Sequence, residues 1–442
     1  MIDQAAAFLL RYARSRRPRR WRDRAHLEAW QERRIRRHVA QVRRRSPYYR
    51  ELWDGIPDER WREFPQIDKS AMMANFERLN TAGIDREEAF AVAARSEHTR
   101  DFRPTIDGVT VGLSSGTSGH RGLFLVGPRE QAAWAGAMLG RMLPGGLLRR
   151  CRIALFLRAD SNLYESVGRG RLAFGFYDLL VPMEAHLERL ERERPDCLVA
   201  PPSVLLRLAR AAERGALRWR PRRLISAAEV LDPRDGERIE GAFGQVVHQI
   251  YQCTEGFLGC TCAHGTLHLN EDLVAIEREY VAGRPDTFVP VVTDFSRTTQ
   301  PIIRYRLNDL LTLRREPCPC GSPFTALARI EGRCDDVFCA EPLAGGGTGP
   351  LIAVYPDFVT RAILAASPAI EQYRAIQIDA ETWTIELDVA PAQRRSAEAG
   401  VQRELAALCR RLACRMPALQ FAPYAAHHGP AKLRRVERRW QP

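Results

Sequence analysis

Apolar residues fall in short runs separated by longer amphipathic stretches, and the alternation repeats through the middle of the chain. Val109 to Leu113 and Leu123 to Val126 read as strands on either side of a polar loop. Arg152 to Leu157, Leu179 to Pro182, Cys197 to Ala200, Leu224 to Glu229 and Val246 to Tyr251 read as further buried strands. Glu130 to Leu143, Glu184 to Glu193 and Ser203 to Arg214 carry helical spacing. Strand–helix alternation of this kind predicts an α/β fold with sheets covered by helices. The first hundred or so residues read as mostly helical, with Asp68 capping a helix over Ser70 to Leu79. Past Asp336, a glycine-rich loop at 342–349 precedes strands Tyr373 to Ile378 and Trp383 to Val389 and a helix from Arg394 to Arg411. The expected organisation is a large domain of several subdomains over 1–335, with 1–104 helical and basic, and a small α+β domain over 336–442.

The loop between the first two strands is the densest concentration of candidate chemistry. Ser114, Ser115, Gly116, Thr117, Ser118 and Gly119 combine hydroxyls with residues that let the backbone approach a ligand closely. Such a donor-rich concavity suits phosphate oxygens, although an ordinary polar hairpin loop has the same look. It is not a Walker A loop, because the lysine of that motif is missing.

Composition narrows the classes. The chain has 442 residues, 45% hydrophobic and 27% charged, which describes a globular protein with room for two or three domains. No apolar run reaches the ~18 residues of a membrane span, and no secretory leader is read at the N-terminus. The 11 cysteines are spread irregularly, which favours a reducing cytoplasm over a disulfide scaffold. Net charge is +13, and among 67 basic residues the lysines are Lys69 and Lys432. Much of that charge lies between Arg11 and Arg45. It reads either as a nucleic-acid-binding arm or, preferred here, as an amphipathic helix with solvated arginines and Leu27, Trp30 and Val39 turned inward. No nucleic-acid-binding motif accompanies it, so nucleic acid is not an expected partner.

Three downstream motifs complete a pattern. Tyr251-Gln252-Cys253-Thr254-Glu255, Arg304-Tyr305-Arg306-Leu307-Asn308-Asp309 and Gly332-Arg333-Cys334-Asp335-Asp336 follow the loop in that order. The set resembles the motifs of the adenylate-forming superfamily, which includes acyl-CoA synthetases, peptide-synthetase adenylation domains and luciferases. Shortness and the Ser46-Pro47-Tyr48-Tyr49 opening resemble the phenylacetate–CoA ligase branch. The loop departs from the family pattern at His120-Arg121-Gly122, where relatives carry a Pro-Lys ending, leaving Arg121 as a substitute cation.

The resemblance implies ATP-dependent activation of a carboxylic acid to an acyl-adenylate, followed by transfer to CoA, with a carrier-protein thiol or an amine as alternative acceptors. It implies that Tyr251 lies near adenine, that Thr254 faces phosphate and that Glu255 ligates Mg²⁺. Asp309 would hold the ribose hydroxyls, Glu229 and Arg333 would belong to the ATP site, and Asp335 would sit at the hinge of a mobile lid. Lys432, in Gly429-Pro430-Ala431-Lys432, would be the catalytic cation. Phe156, Arg158, Asn162, Tyr164, Ala227 and Ala228 would line the acyl pocket, which suits an aryl or arylacetyl acid. A homodimer is compatible with the family.

Cys260, Cys262, His268, Cys318 and Cys320 are soft or borderline metal ligands in two clusters. Their spacing alone fits either a zinc site or unrelated reduced cysteines, because C-x-C is tighter than the common zinc spacing. Relatives in the phenylacetate–CoA ligase branch bring a Cys, a His and a C-P-C-G turn together. That resemblance implies a structural zinc on Cys262, His268, Cys318 and Cys320, with Cys260 in reserve.

Overall fold

The computed structural model describes residues 2–16, 21–99, 101, 104–114, 122–157, 171–179, 181–343, 350–425 and 433–440. The chain divides into two compact units. The first is Met1–Leu307 with Leu311–Ile330, and the second is Asn308–Leu310 with Glu331–Pro442.

The first unit opens with helices α1 (Ile2–Ser15), α2 (Arg24–Arg45), α3 (Pro47–Leu52), α4 (Lys69–Ala74), α5 (Phe76–Leu79) and α6 (Arg86–Thr99). Local chemistry sets their starts: the side chains of Asp23, Ser46 and Asp68 accept from backbone N–H groups of the first turns of α2, α3 and α4. The arginine-rich α2 is amphipathic as expected, burying Leu27, Ile35, Val39 and Val42 while Arg33, Arg36 and Arg37 face solvent. The helix expected over Ser70 to Leu79 is instead α4 and α5, broken at Asn75. There the side-chain amide donates to the Ala71 carbonyl at 2.9 Å and competes with the helical ladder.

A three-stranded antiparallel sheet follows, with β1 (Thr105–Ile106), β2 (Val109–Leu113) and β3 (Leu123–Val126) in sequence order. Then come α7 (Pro128–Met142), β4 (Cys151–Leu157), β5 (Leu172–Asp178), α8 (Met183–Glu193), β6 (Cys197–Ala200), α9 (Pro202–Glu213), β7 (Arg223–Ser226), α10 (Pro233–Phe243) and β8 (Val247–Cys253). Strands β5, β4, β6, β7 and β8 are neighbours in that order, all parallel. The strand expected at Leu179 to Pro182 is corrected to β5, which lies upstream. Helices α7, α9 and α10 each begin on a proline, whose fixed φ suits the first helical turn.

From β8 the sheet turns antiparallel through β9 (Gly256–Thr261), β10 (Leu267–Leu269), β11 (Val274–Val281), β12 (Arg284–Asp294), β13 (Ile302–Arg306), β14 (Asp309–Leu313) and β15 (Ala326–Arg333). The full order is β11-β12-β14-β15-β10-β9-β8-β7-β6-β4-β5, with β13 paired to β12. One core packs Tyr49 of α3 and the following Trp53, Trp61 and Phe64 against β9 and β12, and a second lies between the parallel strands and α8–α10.

The second unit holds β16 (Phe338–Ala340), β17 (Ile352–Val354), α11 (Pro356–Ala366), β18 (Gln372–Gln377), β19 (Thr382–Asp388), α12 (Pro391–Arg411), β20 (Ala418–Pro423) and β21 (Val436–Arg438). Its four-stranded sheet runs β20-β19-β18-β21, and α11 and α12 bury Val359, Ile363, Val401 and Leu405 with Tyr373, Trp383 and Ile385. Among the described residues, no helix is long and apolar enough to cross a membrane.

Candidate functional site

Strands β2 and β3 pair in register from Thr110 with Val126 to Leu113 with Leu123, so the polar loop is the tip of a hairpin. Its neck is closed twice: Ser114 N donates to Gly122 O at 2.7 Å, and Gly122 N donates to Ser114 Oγ at 2.8 Å. Ser115, Gly116, Thr117, Ser118, Gly119 and Arg121 lie outside the described residues.

A buried polar scaffold holds this hairpin to the Thr254-Glu255 turn between β8 and β9. The Arg297 guanidinium donates to Leu125 O and to Thr254 O, both at 2.9 Å. Gln300 Oε1 accepts from Leu125 N at 2.9 Å. The Glu130 carboxylate accepts from Gly127 N, Thr298 N, Thr298 Oγ1 and Thr299 N, fixing the 297–300 segment against α7. A buried carboxylate with several donors is satisfied where it stands, so this segment acts as a rigid strut. None of these three residues was singled out from sequence. Apart from Gly127, their partners lie 43 or more residues away, and no local pattern reports such pairings.

Thr254 Oγ1 donates to Glu255 Oε2 at 3.0 Å. Tyr305 on β13 shares a hydrogen bond with Glu255; burial, then that carboxylate's charge, pushes its phenol well above the ordinary value. Tyr251 is buried in the core at the foot of this turn. The turn thus presents a half-buried carboxylate beside a hydroxyl, in reach of one hairpin and one strand.

On the α/β side, Ala227 and Ala228 follow β7. Ala227 N donates to Ala200 O at 3.1 Å, and Ala228 adopts φ +71°, a left-handed conformation that costs a non-glycine residue energy. Glu229 Oε2 accepts from Ser203 N at 3.3 Å, at the start of α9. Phe156 belongs to the core: it is fully buried, stacked on Tyr177 at 4.7 Å and edge-on to His186 at 5.0 Å. Its ring packs on other aromatics under α8. Arg158, Asn162 and Tyr164 lie outside the described residues.

Asp309, Arg333 and Asp335 fall in the second unit. Asn308 Nδ2 donates to Asp335 Oδ2, Cys334 N donates to Asn308 O at 3.1 Å, and Arg438 Nε donates to Asp335 O at 3.1 Å. Asp336 is buried and paired through both carboxylate oxygens to Arg434. Lys432, two residues before that arginine, lies outside the described residues.

The clearest geometry belongs to the sulfur cluster. Ligand atoms of Cys262, His268, Cys318 and Cys320 all lie within 4.8 Å of one another. Cys262 Sγ is 3.6 Å from Cys318 Sγ, and Cys320 Sγ is 3.4 Å from His268 Nε2. A tetrahedral zinc with bonds of about 2.0–2.3 Å requires ligand–ligand edges of roughly 3.5–3.8 Å, so the donor set fits. His268 Nδ1 lies 3.1 Å from Phe324 O, which leaves Nε2 as the acceptor facing the sulfurs. Backbone N–H groups of His264 and Ser322 each donate to a thiol sulfur at 3.4 Å, Cys262 and Cys320 respectively. For Cys318, burial raises the thiol, but hydrogen bonds from Thr266 and the Cys320 backbone help to outweigh it and bring it down to about 6. Cys260 stands apart, its sulfur 3.5 Å from Asn270 Oδ1 and 3.9 Å from an Arg141 nitrogen.

The fold is shared with solved adenylate-forming ligases, and the motifs resemble those of that superfamily. Within it, a phenylacetate–coenzyme A ligase of Thermus thermophilus is 25% identical over 383 residues, 80% of this chain and 78% of that protein. No family model matches the chain. Among solved structures, a 2-hydroxyisobutyryl-CoA ligase in its postadenylation state superposes with a TM-score of 0.68 at 19% identity, covering 94% of this chain and 90% of that one. An amide bond synthetase from Marinactinospora thermotolerans, McbA, gives 0.51 at 17% identity, covering 75% and 68%.

Proposed function

We propose that this chain joins a carboxylic acid to ATP, releasing pyrophosphate, and then passes the acyl group from the adenylate to CoA. It is an AMP-forming acid–thiol ligase. The observation that carries this is the strut of Arg297 and Gln300, which ties β3 of the hairpin, at Leu125, to the Thr254-Glu255 turn. A phosphate-binding loop and a carboxylate for a phosphate-bound cation must be held together if one polyphosphate is to meet both.

In the reaction a carboxylate oxygen attacks the α-phosphorus while the bond to the β-phosphate oxygen breaks and pyrophosphate leaves with the electron pair. Bringing anions together is the obstacle, and donors fixed in advance lower it without reorganising. The Ser114 hydroxyl would supply such a donor, Thr254 would join it once its proton leaves Glu255, and Lys432 would bring a cation to the α-phosphate and the incoming carboxylate. Mg²⁺, when bound at Glu255, would neutralise charge on the phosphates. Asp309 would hold the ribose, Tyr251 and Glu229 would border the adenine side, and Arg333 with Asp335 would form the hinge of the second unit.

Ala227 and Ala228 would border the acyl group, and an aryl or arylacetyl acid is the proposed substrate. An amine acceptor, as in an amide bond synthetase, is the second reading. CoA is preferred because the phenylacetate–CoA ligase relative aligns over more of the chain. The four-ligand cluster would hold zinc as a staple between the β9–β10 turn and the β14–β15 loop, with no part in the chemistry. ATP–pyrophosphate exchange, run with a panel of carboxylic acids, tests the first half-reaction. Exchange with arylacetic or benzoic acids is the expected result, and pure protein that exchanges with no acid would refute the adenylation reading.

A further inference from the structure

The hairpin neck has a second visitor. A Cβ built on Gly122 would come 2.8 Å from Lys69 Cε and 3.7 Å from Lys69 Cδ, with Ser114 Oγ at 3.5 Å. The lysine stem therefore crosses the bare Cα of Gly122 at the point where the hairpin closes, one bond short of its ammonium. Only glycine leaves space for it there.

The element carrying Lys69 is pinned on several sides. Asp68 Oδ1 accepts from Ala71 N at 2.8 Å, so Lys69 sits on the first turn of α4. Just before it, Ile67 N donates to Arg304 O at 3.1 Å and Ile67 O accepts from Arg306 N at 2.8 Å, bracketing Tyr305 on β13. Within α4, Met73 Sδ accepts from Leu123 N and Met72 Sδ from Gln300 Nε2, both at 3.4 Å. The segment is thus clamped between β3, the 297–300 strut and the strand whose Tyr305 meets Glu255. In a chain with 67 basic residues of which two are lysines, one lies at this neck. A compact ammonium on a flexible stem fits over a glycine where a planar guanidinium fork would not.

We infer that Lys69 is a phosphate-binding residue of the ATP site, reaching over Gly122 to contact the β- and γ-phosphates and to stabilise the departing pyrophosphate. It supplies from a helix more than forty residues upstream the lysine that the loop itself lacks. The inference rests on the adenylation reading and goes beyond it by assigning which residue meets the leaving group.

AMP lacks the phosphates in question, so a three-ligand comparison isolates the contact. Lys69→Met keeps the apolar stem on Gly122 and removes only the charge. Calorimetric titration with Mg-ATP, Mg-pyrophosphate and AMP should show ATP and pyrophosphate weakened about tenfold or more, the usual worth of a charge-assisted hydrogen bond, with AMP within about twofold. Gly122→Ala leaves the lysine in place but displaces its stem, and should give the same pattern. ATP and AMP weakened alike, or neither changed, would overturn the assignment while wild-type ATP binding keeps the adenylation reading intact. Wild-type protein that binds AMP and ATP not at all overturns both.

Discussion

Arg434 and Asp336 form the pair from which the role of Lys432 can be argued. Both members are largely buried, with side-chain exposures of 19% and 6%, and a buried pair that loses one partner leaves an uncompensated charge. Arg434 stands two residues past Lys432 in the sequence, and the ion pair anchors the described residues that follow it. Lys432→Ala should lower adenylate formation roughly 100-fold or more, about 3 kcal/mol of transition-state stabilisation. Capture of a separately supplied acyl-adenylate by CoA should be nearly unchanged, because a cation for the α-phosphate has no work in the second step. Asp336→Asn should weaken the first step in the same direction by a smaller factor. Equal losses in both half-reactions, measured by exchange and by single-turnover thioester formation, would remove Lys432 from the catalytic role.

Two loops meet at the sulfur cluster. Cys262 follows β9 directly, and β9 begins one residue after Glu255, while Cys318 and Cys320 come from the long β14–β15 connection. A metal there would tie that connection to the strand that presents the site. Protein purified with zinc present should hold about one zinc per chain, and Cys318→Ser should lose the metal and several degrees of melting temperature together. Metal content well under one per chain in the wild type would leave the cluster as reduced thiols only. Soft donors are rare and chemically distinctive, so five candidates stood out in the sequence, and the resemblance to the phenylacetate–CoA ligase branch narrowed them to these four. Hairpin β2–β3 was equally legible, since two apolar runs flank a loop of glycine and hydroxyls. Strand β5 was not: as an edge strand paired only to β4 it is half exposed, so its Leu172–Asp178 stretch lacks a buried run and the denser apolar segment after it was read instead. The break between α4 and α5 escaped for a related reason, because Asn75 disrupts a helix through one side-chain hydrogen bond that hydrophobic spacing does not register. Lys69 at the neck and the Arg297 strut depend on contacts across the fold, which only the folded chain brings together.

The two units should respond differently to acid. His38 on α2 is buried with its Nε2 lacking a hydrogen-bond partner, and burial, then the Arg34 charge, lowers it to about 4. Glu130 opposes that shift, but by less. His248 on β8 is also buried, its Nδ1 2.9 Å from Thr261 Oγ1, and burial with the Arg223 charge brings it to about 4 as well. Both lie in the first unit, and among the described residues the second unit contains no histidine. In the unfolded chain each imidazole titrates near its ordinary value of about 6.5. Between that value and about 4 the unfolded state binds protons that the folded state refuses, so stability is complete above pH ~6.5 and falls as pH is lowered. The largest loss is about 3 kcal/mol for each histidine once the pH is below both values. Most carboxylates titrate beneath this window, which leaves its upper half, from about pH 6.5 to 5, to the histidines. Calorimetry across that range should show the melting of the first unit moving to lower temperature while that of the second holds nearly still. His38→Leu should flatten the dependence, since an apolar side chain of similar reach removes the proton-binding group without opening a large cavity. A first unit whose melting temperature is constant from pH 7 to 5, or a His38→Leu protein with an unchanged slope, would show that α2 does not hold its histidine in the neutral form.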